Sequence, residues 1–164
     1  MPSELRSWMR PGDLVLYQLD LLPWPAYLHL IQCYFEENAF RIKLIGAEVD
    51  SAQYLLVSQA GARQLLHCCS VPAAQRTNTL EKLRCHMSRC DIQTGILASP
   101  KDFGVTLLAD ARNTGVDLYS GNRLRAKIET MASERRRRVL DSIRPLGAQP
   151  DFGPTESPAR RDAL

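Results

Sequence analysis

The apolar residues of this chain change their spacing several times, from helical to extended and back. Over residues 24–38 they recur three and four positions apart, which predicts an amphipathic helix with Pro25 in its first turn. Three predicted strands follow, at residues 40–45, 53–58 and 64–71. We expect Gly46 to stop the first strand, and the turn at Ala60-Gly61 to join the other two as a hairpin.

Two helix–strand repeats are predicted in the second half of the chain. A helix over residues 79–90, with Thr79 as its N-cap, precedes a short buried strand over residues 95–99. The next helix, over residues 103–113, ends before Gly115. A last strand over residues 116–119 and one long charged helix over residues 122–143 follow. This order of elements predicts an α/β fold with a mixed central sheet flanked by helices.

The periodicity also predicts the core and the extent of the domain. Twelve apolar residues are expected inside: Leu30, Ile31, Phe35, Ile42, Leu44, Leu55, Val57, Leu65, Leu83, Ile96, Leu107 and Leu118. We expect one domain over residues 23–143, preceded by an N-terminal arm over residues 1–22 with an apolar stretch at 13–19. Residues 144–164 are rich in Pro, Gly and polar residues, which predicts a disordered tail.

Composition favours a cytosolic protein. The 164 residues are 45% hydrophobic and 24% charged, without an apolar run of about 18 residues for a membrane span or a signal-peptide core. Five cysteines, two of them adjacent at Cys68 and Cys69, form no even disulfide framework and suit a reducing compartment. The net charge of +3 permits nucleic acid as a partner without arguing for it.

Three strings and their order carry a resemblance to a known family. They lie at residues 61–69, 94–99 and 114–124, and Phe103 followed by Ala109 and Ala111 adds to them. Over residues 24–130 the chain resembles the Mrr-type branch of the restriction-endonuclease-like, or PD-(D/E)xK, superfamily. The resemblance implies a restriction-endonuclease-like sheet and metal-dependent cleavage of DNA. It also implies an Asp on the first hairpin strand and a Gln-x-Lys or Glu-x-Lys on the second.

The catalytic positions of that family are degenerate in this chain. Counted from the Gly61 turn, the resemblance puts the Gln or Glu at His67 and the Lys at Cys69. It puts the Asp at or beside Tyr54. A magnesium nuclease needs oxygen ligands for the metal and a lysine beside the scissile phosphate, and these residues supply neither. We therefore expect no catalysis and no cofactor.

Two alternative hypotheses include a bound metal ion. An active nuclease would use Mg²⁺ with Glu48 or Asp50, the nearest carboxylates, and His67. Zinc would use thiolates and imidazoles from one set of residues: His67, Cys69, Cys85, His86 and Cys90. No Cys-x-x-Cys spacing is present, and cysteines are often buried for packing alone, so structural cysteines are the favoured interpretation.

The densest charge feature is a set of cations in the last predicted helix: Arg123, Arg125, Lys127, Arg135, Arg136, Arg137 and Arg138. Such a helix can neutralise phosphates without regard to base sequence, and Arg84 and Arg89 are weaker candidates for the same role. The plainer interpretation is a solvated helix face that acidic residues partly offset. We expect a domain that binds nucleic acid, DNA before RNA, or a DNA-associated partner. A protein-interaction domain without nucleic acid and a homodimer stay open.

Overall fold

A computed structural model gives the fold and describes residues 18–70 and 78–147. A 3-10 turn at Leu19–Leu21 leads into the domain. Ten elements follow in the described ranges: α1 (Trp24–Glu37), β1 (Arg41–Ala47), β2 (Ser51–Val57), β3 (Arg63–Cys69), α2 (Asn78–Arg89), β4 (Gly95–Ala98), α3 (Val105–Ala111), β5 (Val116–Tyr119), α4 (Gly121–Glu129) and α5 (Ser133–Gly147). Residues 13–17 of the predicted apolar stretch at 13–19, and residues 148–164 of the predicted tail at 144–164, lie outside the described residues.

The five strands form one sheet in the order β1-β2-β3-β4-β5. The first three pair antiparallel, and β3, β4 and β5 pair parallel. Gly61 closes the predicted hairpin at a φ of 85°, a left-handed conformation that glycine adopts without strain. The mixed sheet with flanking helices confirms the predicted α/β class and the predicted order of helices and strands along the chain.

Two hydrophobic cores lie on opposite faces of the sheet. On the first face, Leu66 and Cys68 of β3 pack with residues of α1, α4 and α5. On the second face, Leu65 and Cys69 of the same strand pack with α2 and with Phe103. Adjacent residues of a strand point to opposite faces, so β3 contributes to both cores and is buried from Leu65 to Cys69.

Most of the predicted core is confirmed, and all but one of the exceptions lie in β1 and β2. Seven of the twelve residues are buried: Leu30, Ile31, Phe35, Leu65, Leu83, Ile96 and Leu118. Ile42, Leu55, Val57 and Leu107 are only partly buried. The prediction for β2 chose the wrong face, because Tyr54 and Leu56 fill the first core there. The prediction that Leu44 belongs to the core is also wrong, because β1 is an edge strand and Leu44 is 53% exposed.

Two predicted boundaries are wrong. Gly46 does not stop β1, because the strand runs on to Ala47 with a shift of register between Leu44 and Gly46. A β-bulge at this point accommodates the glycine within the strand. Thr79 is not the N-cap of α2, since the helix already includes Asn78.

The predicted long last helix is two helices. At the break, the Thr130 hydroxyl donates to the Lys127 carbonyl, and the Ala132 carbonyl accepts from the Arg136 N–H as α5 begins. The break redirects the chain, so that α5 packs against α1 and places Val139 in the first core. In the described part of the chain, no helix has both the length and the apolar character needed to cross a membrane.

The domain extends slightly beyond the expected limits of 23–143. Leu19, within the expected arm, is 3% exposed and belongs to the first core. At the other end, the prediction of disorder is wrong for residues 144–147, because α5 continues to Gly147.

Candidate functional site

The three degenerate positions, Tyr54, His67 and Cys69, do not all lie on the same face of the sheet. Tyr54 of β2 points into the first core, where its hydroxyl accepts a 2.9 Å hydrogen bond from Gln32 Nε2 of α1. His67 and Cys69 lie on the second face of β3, because they share the side of Leu65. The residue paired with His67 across the hairpin is Gln53, directly before Tyr54. An amide therefore occupies the place that would have to hold a metal-binding carboxylate.

The Cys69 thiol has none of the properties of a catalytic lysine. It is fully buried and donates to the Ala98 carbonyl at a sulfur–oxygen distance of 3.6 Å. Burial, with a smaller contribution from Asp50, raises the pKa of Cys69 to about 12. The side chain is thus a neutral thiol at physiological pH and supplies no positive charge to a phosphate.

His67 is a buried, neutral imidazole. It is 8% exposed, and its Nδ1 atom has no hydrogen-bond partner among the described residues. The pKa of His67 is lowered to about 4, chiefly by burial and then by the interactions with Lys82 and His86 on α2. Asp50 acts on this pKa in the opposite direction and more weakly.

The carboxylates that the nuclease alternative requires lie in the turn between β1 and β2. Glu48 is exposed, and its backbone N–H donates to the Ser51 carbonyl. Asp50 is partly buried, and its backbone carbonyl accepts from the Ser70 N–H beyond the end of β3. Asp50 is therefore close to the hairpin end that carries Cys69.

The residues of the zinc alternative are dispersed. Cys85 is exposed on α2, and Cys90 is partly buried at the end of that helix, whereas Cys69 is inside the second core. Within residues 18–70 and 78–147, no three His, Cys, Asp or Glu side chains come together as ligands of one metal ion.

The cations of the last predicted helix belong to two helices that cover the first face. On α4, Arg123 donates to both carboxylate oxygens of Asp117, at 2.6 and 3.1 Å, and to the Leu118 carbonyl. Arg123 and Lys127 also lie over the Tyr119 ring, 5.3 and 4.9 Å from its centroid. Arg125 borders a small cavity at the carboxyl ends of β4 and β5.

The four consecutive arginines of α5 differ in their contacts. Arg138 donates to both carboxylate oxygens of Glu37 at the end of α1, at 2.9 and 3.0 Å. Arg135 donates to the Glu37 backbone carbonyl at 3.4 Å, and Arg136 donates to a carbonyl of α4 at 3.5 Å. Arg137 is exposed. A hydrogen bond to a carbonyl leaves the charge of a guanidinium uncompensated, so Arg135 and Arg136 remain sources of positive potential.

Lys82 is the residue near His67 that sequence reasoning missed. The signal that could have found it is its spacing of four residues from His86, which puts both on one side of α2. Only the packing of α2 on the sheet brings that side towards His67.

Comparison with known protein families and with curated proteins finds no match for this chain.

Proposed function

We propose that this domain is a catalytically inactive relative of the Mrr-type nucleases. It binds nucleic acid, DNA in preference to RNA, through the basic helices α4 and α5. The observation that carries the proposal is the charge of these helices. Residues 121–143 contain seven Arg and Lys against three Asp and Glu, a net charge of +4, whereas the whole chain carries only +3. The remainder of the chain therefore has a net charge of −1, and the two helices with the excess of cations cover the first face of the sheet.

The chemistry of the hairpin supports binding without cleavage. Gln53 stands opposite His67, and the Cys69 thiol is buried and neutral. A hydrolytic site would need a metal held by hard oxygen ligands and a cation beside the attacked phosphate. The hairpin positions provide neither.

Salt-dependent DNA binding tests this function. Fluorescence anisotropy with labelled duplex and single-stranded DNA is measured at low and moderate salt, with and without Mg²⁺, and the products are run on a gel. We expect affinity to fall steeply with salt while the DNA stays intact. The variant Arg135→Gln/Arg137→Gln should reduce the slope of log affinity against log salt by about 1 to 2, because two cations that neutralise phosphates are removed.

A matched control removes the same charge elsewhere. Arg41→Gln/Arg112→Gln changes two exposed arginines outside α4 and α5, and it should leave the slope nearly unchanged. Mg²⁺-dependent cleavage that His67→Ala abolishes would instead identify an active nuclease. Absence of binding at low salt would contradict the proposal and favour a protein-interaction domain.

A further inference from the structure

A cleft of about 500 Å³ lies between α2 and β2 on the second face of the sheet. Lys82, His86 and Arg89 line it from the helix, and Gln53 lines it from the strand. Glu81 is the acidic residue in its lining. Glu81 also borders two neighbouring clefts, so it lies on the outer ridge of α2, between the cavities. The cleft thus combines two permanent cations, an imidazole and an amide.

The buried His67 is beside this cleft. Its strand partner Gln53 is part of the lining, and Lys82 and His86, which also line the cleft, lower the pKa of His67. Asp50, from the turn before β2, also faces His67 but has a weaker effect. A buried nitrogen without a hydrogen bond is costly, and neighbouring positive charges add to that cost whenever the ring is protonated. An anion in the cleft would offset the positive charge that lies beside His67.

We propose that this cleft binds the phosphate group of a nucleotide or of a nucleic-acid strand, held by the donor side chains that line it: Lys82, His86, Arg89 and Gln53. A phosphate has several oxygens that accept hydrogen bonds at once, which matches four donors better than a single carboxylate does. The volume is within the range of cofactor-sized ligands, so there is room for a nucleoside attached to the phosphate.

This site is independent of the proposed function. The basic helices α4 and α5 cover the first face of the sheet, and the cleft opens on the second. Substitutions in α5 should therefore change salt-dependent DNA binding without changing phosphate binding in the cleft. Lys82→Gln should weaken phosphate binding in the cleft and leave the part of the salt dependence that α5 contributes.

The three histidines of the chain give a direct measurement. Their imidazole NMR signals are assigned with the variants His29→Gln and His86→Gln. The full chain is then titrated with inorganic phosphate, with deoxyadenosine monophosphate, and with a short oligonucleotide with or without a 5′-phosphate. Sodium chloride at matched ionic strength is the salt control. We expect the His67 and His86 signals to shift together and saturate with phosphate, while His29 on α1 does not follow.

Lys82→Gln is the decisive variant, since Lys82 is exposed and its replacement leaves the core intact. It should weaken phosphate binding at least tenfold, whereas Lys101→Gln, another exposed lysine, should leave it unchanged. Tighter binding of the mononucleotide than of inorganic phosphate identifies a nucleotide site, and a requirement for the 5′-phosphate on the oligonucleotide identifies a strand end. A His67 signal that does not move at millimolar phosphate, or that moves equally in Lys82→Gln, would overturn the proposal.

Discussion

Arg138 of α5 donates to both carboxylate oxygens of Glu37, and this ion pair joins the last helix of the domain to the first. The Arg138 hydrogen bond is the main reason that the pKa of Glu37 is lowered, so the carboxylate stays charged under physiological conditions. The pair therefore has two effects. It helps to fix α5 on α1, and it neutralises one cation of the surface that we propose for nucleic acid.

Glu37→Gln should strengthen DNA binding. The substitution removes the carboxylate that neutralises Arg138 and makes that guanidinium available to a phosphate. We expect higher affinity at low salt and a salt slope steeper by about 1, measured by fluorescence anisotropy. Glu36→Gln removes the same charge from the neighbouring exposed residue, and should have a smaller effect. An equal effect of both variants would mean that net charge, and not release of Arg138, is responsible.

Protonation of His67 should destabilise the fold in mildly acidic solution. The pKa of this imidazole falls from 6.5 to about 4 on folding, because of burial and the interactions with Lys82 and His86, against the opposing effect of Asp50. The unfolded chain therefore binds the proton more tightly between these two pH values. Stability is fully present above pH 6.5 and decreases as the pH falls towards 4, by at most about 3 kcal/mol.

Urea denaturation across this pH range measures the effect. His67→Gln should have lower stability at neutral pH but a flatter dependence on pH, whereas His29→Gln should keep the slope of the parent. An unchanged slope in His67→Gln would assign the acid sensitivity to other groups.

Gly121→Ala should destabilise the domain by at least about 2 kcal/mol. Gly121 begins α4 directly after β5, and a Cβ atom at this position would collide with the backbone carbonyl of Pro100. Backbone cannot rotate away as a side chain can, so the helix and the loop after β4 would have to separate. Gly46→Ala is the control, because the nearest atom to its Cβ would be 3.9 Å away, and we expect a change within about 0.5 kcal/mol. Urea denaturation of both variants gives the comparison.

The five thiols should react with a thiol reagent at very different rates. Cys85 is exposed and should react first, and Cys33 and Cys90 are partly buried. Burial raises the pKa values of Cys68 and Cys69, so these two should react only when the protein unfolds. Mass spectrometry of the labelled peptides, with and without denaturant, gives the order. Rapid labelling of Cys69 in the native protein would mean that the hairpin end is open and that its thiol is available for chemistry.

The sequence predicts the sheet well because its helices and strands have distinct apolar spacing and are separated by turns. Its errors arise where local spacing is ambiguous. Residues 54–57 are apolar at consecutive positions, so either face of β2 could have been the buried one. The break at residues 130–132 contains neither Gly nor Pro, and only the packing of α5 on α1 explains it.

The candidate sites can also be predicted from the sequence only where local composition decides them, and not where packing does. The charge of α4 and α5 is visible in the sequence, but the pairing of Arg138 with Glu37 joins residues about a hundred positions apart. The positions of Lys82 and Asp50 around His67 likewise depend on how α2 and the β1–β2 turn pack. Spacing along a chain carries no information on such contacts.

The order of strands in the sheet has a consequence for how the chain acquires its structure. Each strand is hydrogen-bonded to its neighbour in sequence, so the sheet can assemble progressively as the ribosome releases it. The contact of α1 with α5 is the exception, because it joins the beginning of the domain to its end. Until α5 emerges, the apolar side of α1 that it covers stays exposed to solvent. Translation that stops before Val139 should therefore yield a nascent chain with a complete sheet and a surface that chaperones recognise.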